Sequence, residues 1–147
     1  MFLMNRANTI HPSIQVTIDY PDNNANGRMP VLDTEQWMQE VVIQGERKLQ
    51  IMHSHYRKPM ANVALINKNS AISDRSKENI LVADLVRIMR NISNMCEESE
   101  RKSKIQFYIN RLQYSGYESN ERVNIYKKAK SIHKDMIRKD NEGITPM

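Results

Sequence analysis

Residues 34–55 read Thr34-Glu-Gln-Trp-Met-Gln-Glu-Val-Val-Ile-Gln-Gly-Glu-Arg-Lys-Leu-Gln-Ile-Met-His-Ser-His55. In the second half of this stretch Leu49, Ile51, His53 and His55 alternate with Gln50, Met52, Ser54 and Tyr56, the period-2 signature of a strand. Gln44-Gly45-Glu46 supplies a turn. The first half, Thr34 to Ile43, carries Trp37, Met38, Val41 and Val42. It accommodates a strand or a short helix, and the strand reading is preferred. Pro59 is expected to end the second strand. Read this way, the stretch commits the N-terminal part of the chain to antiparallel β structure.

Upstream, Ile14, Val16, Ile18 and Tyr20 alternate with Gln15, Thr17 and Asp19, a further half-buried strand pattern. Pro21-Asp-Asn-Asn-Ala-Asn-Gly27 is a cluster of turn formers. Arg28-Met-Pro-Val-Leu-Asp33 then returns, with Pro30 marking an edge or a strand entry. The expectation is a hairpin closed by a long loop. Downstream, Ala61 to Ile66 reads as a short strand or an extended segment, and Asn67 to Arg75 as a polar loop.

The remainder reads as helices. In Glu78–Ile92, Leu81, Leu85, Ile88 and Ile92 fall at i, i+4, i+7 and i+11, widened by Val82, Val86 and Met89. Ser73 or Ser76 is the expected cap. A second helix spans Glu98 to Ser115 with Ile105, Tyr108, Ile109 and Leu112 inward, and Gly116 follows where a left-handed residue closes a helix. A third begins after Ser119, the expected N-cap. Its face is Val123, Tyr126, Ala129, Ile132 and Met136. The fold class is therefore α+β: an N-terminal antiparallel β-hairpin or sheet portion over residues 1–66, then a three-helix bundle over 67–140. A helix-turn-helix is one member of that bundle class, and spacing alone does not select it. Residues 141–147 are expected to be a disordered tail.

Length and composition narrow the function. The 147 residues hold one cysteine, Cys96, so no disulfide forms within the chain. No apolar run approaches the length of a membrane span, and Asn5-Arg6 interrupts the short apolar start. An intracellular chain, nuclear or cytoplasmic, is expected. The net charge of +5 is unevenly placed: residues 1–66 carry six basic and six acidic groups, residues 67–147 sixteen and eleven. A basic surplus in one region favours polyanions.

Catalytic chemistry finds little support. The sequence has no Asp-Asp pair, and Asp19, Asp22 and Asp33 sit in strand-end or turn positions, whereas two-metal phosphoryl transfer needs converging carboxylates. His53 and His55 share a strand face, but no third ligand follows at a metal-binding spacing. Cys96 has no base near it in sequence, and no Gly-rich phosphate loop occurs. No cofactor, membrane or small-molecule substrate is implied. The groups suited to a phosphate backbone are Tyr56, Arg57 and Lys58, Lys77, Arg87 and Arg90 of the first helix, and Arg122, Lys127, Lys128 and Lys130 of the third. Tyr108, Tyr114, Tyr117 and Tyr126 are candidates for stacking, at least half of them expected to be packing residues.

Four segments together carry a resemblance. Residues 8–20 followed by Asn26-Gly-Arg-Met-Pro-Val-Leu-Asp33, then His55-Tyr-Arg-Lys-Pro-Met60, then Ser70 with Lys77 and Arg90, then Ile109-Asn-Arg-Leu-Gln-Tyr-Ser-Gly-Tyr117 with Arg122, are similar to successive motifs of Penelope-like and related animal retroelement (retrotransposon) reverse transcriptases. The resemblance spans residues 8–137. It departs at Met60, where the family has Thr, and at Val31, where it has Phe. The family's Tyr-x-Asp-Asp box, fingers and upstream aspartate are missing. The resemblance implies a non-catalytic fragment from behind the palm, beginning inside an ancestral reading frame and inactive by itself. There Arg57, Lys58, Lys77, Arg90 and Arg122 would grip an RNA–DNA or DNA duplex through its phosphates. Separation from the rest of a palm sheet would leave strand edges or an apolar face exposed. A self-standing helix-turn-helix DNA-binding module and a protein-interaction domain without nucleic acid are the rival readings.

Overall fold

The computed structural model describes residues 2–13 and 15–143. Ile14 of the expected first strand and residues 144–147 of the expected tail lie outside the described residues. The elements are α1 (Phe2–Asn8), β1 (Met29–Val31), β2 (Thr34–Ile43), β3 (Glu46–His55), α2 (Asp74–Arg90), α3 (Glu98–Tyr114) and α4 (Ser119–Gly143). A three-stranded antiparallel sheet of order β1-β2-β3 precedes three long helices, an α+β fold.

Two tight turns make the sheet. Ile43 pairs with Glu46, so the β2–β3 loop is Gln44-Gly45, both with positive φ, at 53° and 82°. That is the pattern of a type I′ turn, whose twist matches that of the strands. Val31 pairs with Thr34, and in the Leu32-Asp33 loop only Leu32 has positive φ, at 58°. The strand reading of Thr34–Ile43 is thus correct, and β2 takes the centre of the sheet.

The expected long-loop hairpin does not form. Among the described residues, 15–20 pair with no strand, and Val16, Ile18 and Tyr20 are exposed. Local pairing through two-residue loops closes β2 on both sides at small entropic cost. The one remaining partner on that side is β1, a three-residue strand whose middle residue, Pro30, has no N–H to donate. Pro30 marks a sheet edge as expected, and it blocks the fourth strand. The turn formers that follow residue 20 fold instead into a 3-10 turn at Pro21–Asn23.

The helices close with recognisable caps. Ser73 Oγ accepts the Ser76 amide at the start of α2. Gly116, at φ 91°, ends α3 with Gly116 N–H donating to Gln113 and Tyr117 N–H to Leu112, a Schellman motif. At α4 the first intrahelical bond runs from Arg122 N–H to the carbonyl of Glu118. The Glu121 carboxylate reaches back to the Glu118 amide at 2.8 Å. The cap is therefore Glu118 and not Ser119, because Glu121 stands three residues after it, where the reciprocal bond of a capping box is made.

One apolar cluster joins Leu81, Leu85, Ile88 and Ile92 of the α2 region to Tyr108 and Leu112 of α3 and to Ile125 and Ala129 of α4. The sheet docks on the end of α2 and the start of α3. Ser93 N–H donates to the His53 carbonyl and its Oγ accepts the His53 amide, both at 2.8 Å. These bonds cover part of the free edge of β3. Asn91 Nδ2 donates to the Asp33 carboxylate at 2.9 Å. Arg28 reaches Glu100 through two bonds of 2.8 and 3.1 Å and lies 3.7 Å over the Trp37 ring. The outer face, with Met38 paired to Ile51 and with Val42 and Leu49 nearby, stays exposed.

Candidate nucleic-acid interface

The segment after β3 does not wander. Arg111 Nε donates to the Val63 carbonyl at 2.8 Å, the Leu65 amide to Ser115 Oγ at 3.1 Å, the Tyr117 hydroxyl to the Ile66 carbonyl at 2.9 Å, and the Lys68 amide to the Ser115 carbonyl at 3.0 Å. Backbone groups that no strand satisfies are thereby satisfied by α3 and the turn after it. The consequence is positional: residues 55–63 are drawn across one face of α3.

A cleft of about 540 Å³ opens there. One wall is His55, Tyr56, Arg57 and Lys58 from the exit of β3; the other is Lys104, Phe107 and Arg111 from α3. Four cations thus face a single carboxylate, Glu35. Glu35 is itself committed, accepting from Lys104 Nζ at 3.0 Å and from Arg28 at 3.3 Å. Among the described residues neither Arg57 nor Lys58 has an ion pair or a side-chain hydrogen bond.

The electrostatics follow from burial and like charge. Arg111 is buried, and desolvation, reinforced by the nearby Arg57, holds its pKa below the usual guanidinium value. His55 is pushed down, chiefly by burial, so it is neutral at pH 7, and its Nδ1 lacks a hydrogen-bond partner. Phe107 is half exposed at the mouth. Four cations facing one carboxylate, itself shared between Lys104 and Arg28, beside an exposed aromatic ring, form a place where an external polyanion lowers the electrostatic energy and a sugar or base finds a stacking surface.

The other sequence-selected residues scatter. Lys77 is 4% exposed; its ammonium donates to the Lys68 carbonyl and pairs with Asp74 at 3.3 Å, so it secures the start of α2 and offers no contact surface. Arg87 pairs with Asp84 at 3.2 Å and with Asp33 at 3.5 Å. Arg90 lines a separate α2–α4 depression. Lys128 pairs with Glu78 at 2.7 Å, and Lys127 is exposed beside it. Arg122 and Lys130 line a groove between α3 and α4. Of the tyrosines, Tyr108 and Tyr117 are core residues and Tyr114 is exposed. Burial raises the Tyr108 hydroxyl far above its ordinary pKa, and it donates to the Leu81 carbonyl at 3.0 Å.

Sequence reading missed Lys104, Phe107 and Arg111. Their i, i+3, i+7 spacing marks one helix face, but nothing in the sequence says that residues 56–58 lie against it. His53 Nδ1 lies 3.1 Å from the Asn91 carbonyl. Cys96 Sγ donates to the His53 carbonyl at 3.4 Å, and burial raises its pKa. Both side chains therefore serve the docking of the sheet. Among the described residues no three His, Cys, Asp or Glu side chains gather as a metal site, and no helix is long and apolar enough to cross a membrane.

Fold and cleft together define a class: a small antiparallel sheet docked on a three-helix bundle, with a cleft at their junction in which cations outnumber carboxylates. No protein-family model matches the chain, and neither a curated protein nor a solved structure matches it significantly.

Proposed function

We propose that this chain grips the sugar–phosphate backbone of a nucleic-acid duplex, without reading sequence and without cutting or extending it. The observation that carries the reading is the convergence of Arg57 and Lys58, both unpaired, with Lys104 and Arg111 in one cleft. Phosphates contacted this way position a protein and carry no sequence information. The order of the four motifs supports a narrower form, in which the chain is a non-catalytic piece of a reverse transcriptase from behind the palm, its duplex an RNA–DNA hybrid or DNA. In that form Tyr56, Arg57 and Lys58 stand where the family has its Tyr-Arg-Lys-Pro motif.

Fluorescence anisotropy with labelled RNA–DNA and DNA duplexes of unrelated sequence tests it. Affinity is expected to fall steeply with salt and alike for all sequences. The double variant Arg57→Ala/Lys58→Ala removes two phosphate contacts, which lowers the slope of log K against log salt by about 1.8. An unchanged slope would sink the proposal. A strong preference for one duplex sequence would favour a helix-turn-helix module instead.

A further inference from the structure

The second basic surface has a different chemistry. α4 packs mainly on α2 and only lightly on α3, so the facing sides of α3 and α4 leave a groove of about 890 Å³. Its floor is apolar: Ile105 and Ile109 from α3, Val123 and Tyr126 from α4. Val123 is exposed, and the other three are only partly buried. The rim is basic, with Arg101 and Lys102 on one side, Arg122 and Lys130 on the other, and the half-buried His133 at the far end. Its one carboxylate, Glu98, already lies 3.7 Å from Arg101 and 3.9 Å from Lys102. Arg122 donates through one terminal nitrogen to Gln113 at 3.0 Å, while its Nε is buried without an acceptor.

We infer that this groove docks an amphipathic helix of a partner protein whose flanks carry Asp and Glu. The apolar floor requires apolar anchors, which a phosphate backbone does not have. The basic rim requires carboxylates. A second copy of this chain is a poor occupant, because its helical half repeats the same positive charge. The α4 wall from Arg122 to His133 is about 16 Å long at 1.5 Å per residue. That length accepts about three turns of helix, enough for anchors at i, i+4 and i+7. Arg122 and Lys130, expected from sequence to meet phosphates, are then protein-binding residues.

The test uses the whole chain and a fluorescein-labelled synthetic helix of about 14 residues, with Leu at i, i+4, i+7 and i+11 and Glu on both flanks. A control peptide carries Lys in place of each Glu. The acidic peptide is expected to bind and the basic one not. Lys102→Glu/Lys130→Glu, two exposed positions checked for folding by circular dichroism, should weaken binding by about tenfold or more, and Val123→Asp should do likewise. Arg57→Ala/Lys58→Ala should leave peptide binding unchanged, which separates this site from the duplex cleft. No binding of the acidic peptide overturns the inference. So does equal binding by the charge-reversed variant, or displacement of the peptide by an RNA–DNA duplex whose own binding the same reversal abolishes.

Discussion

Leu85 and Leu49 are the same residue in two environments. Leu85 on α2 is fully buried among side chains of three helices, whereas Leu49 on β3 is 63% exposed on the outer face of the sheet. The helical half makes its core from its own residues. Among the described residues the sheet half contributes Met52 and Val41 to the buried apolar set, both outside the helical cluster. It is held instead by directional bonds at its rim: Arg28 to Glu100, Ser93 to His53, Asn91 to Asp33. Apolar burial is non-directional and cooperative, while a rim of polar bonds is specific and worth less per group. The sheet therefore depends on the helices more than the helices depend on the sheet.

The sharpest way to break this contrast is truncation. Leu85→Ala is expected to cost about 2–5 kcal/mol, and Leu49→Ala less than about 0.5 kcal/mol, in denaturant unfolding followed by helical ellipticity. Equal costs would erase the difference between the halves. Trp37 is the only tryptophan and lies in β2, so its fluorescence reports the sheet alone. Met52→Ala should lower the fluorescence midpoint more than the ellipticity midpoint.

A smaller effect tests the rim. Arg28→Ala should cost about 2 kcal/mol, as for a charge-assisted hydrogen bond, read again from Trp37. The Arg28 guanidinium holds the Glu100 carboxyl below the ordinary carboxylate value of 4.5. A carboxylate whose folded pKa is depressed adds stability that is present above its unfolded pKa and lost as pH falls through the folded value. The fluorescence midpoint should therefore drop on acidification below pH 4.5. In Glu100→Gln that drop should be shallower. An identical acid profile would remove Glu100 from the docking.

The smallest effect is a gain. Leu32 is held at φ 58° and is almost wholly exposed. Glycine there relieves left-handed strain and gives up little packing, so Leu32→Gly should raise stability by about 0.5 kcal/mol, after its own entropic cost. A loss would mean that the β1–β2 turn carries less strain than its dihedral implies.

Much of the molecule was legible before any coordinates. The α2 stripe, the Gly116 stop, the Gln44-Gly45 turn and the two strands it joins are written in short-range patterns, and the two-residue turn then fixes how those strands pair. The expected strand over residues 14–20 has the same kind of pattern and still stays unpaired. Periodicity states that a segment can pair, not that a partner edge is free, and Pro30 had closed the edge. The α1 helix carried no signal strong enough to be read.

The cleft divides in the same way. Sequence alone determined that Tyr56-Arg57-Lys58 ends a strand with two cations beside an aromatic ring, and that the chain has no Asp-Asp pair. Only the tertiary structure decided that Lys104, Phe107 and Arg111 stand opposite, that Lys77 is a buried structural ammonium, and that Arg122 and Lys130 belong to a different groove. The physical reason is range. Helix and strand periods come from backbone geometry repeated every few residues, but a cationic cleft comes from two segments about fifty positions apart. These are brought together by backbone donors and acceptors that had to be satisfied somewhere, and a single sequence does not say where.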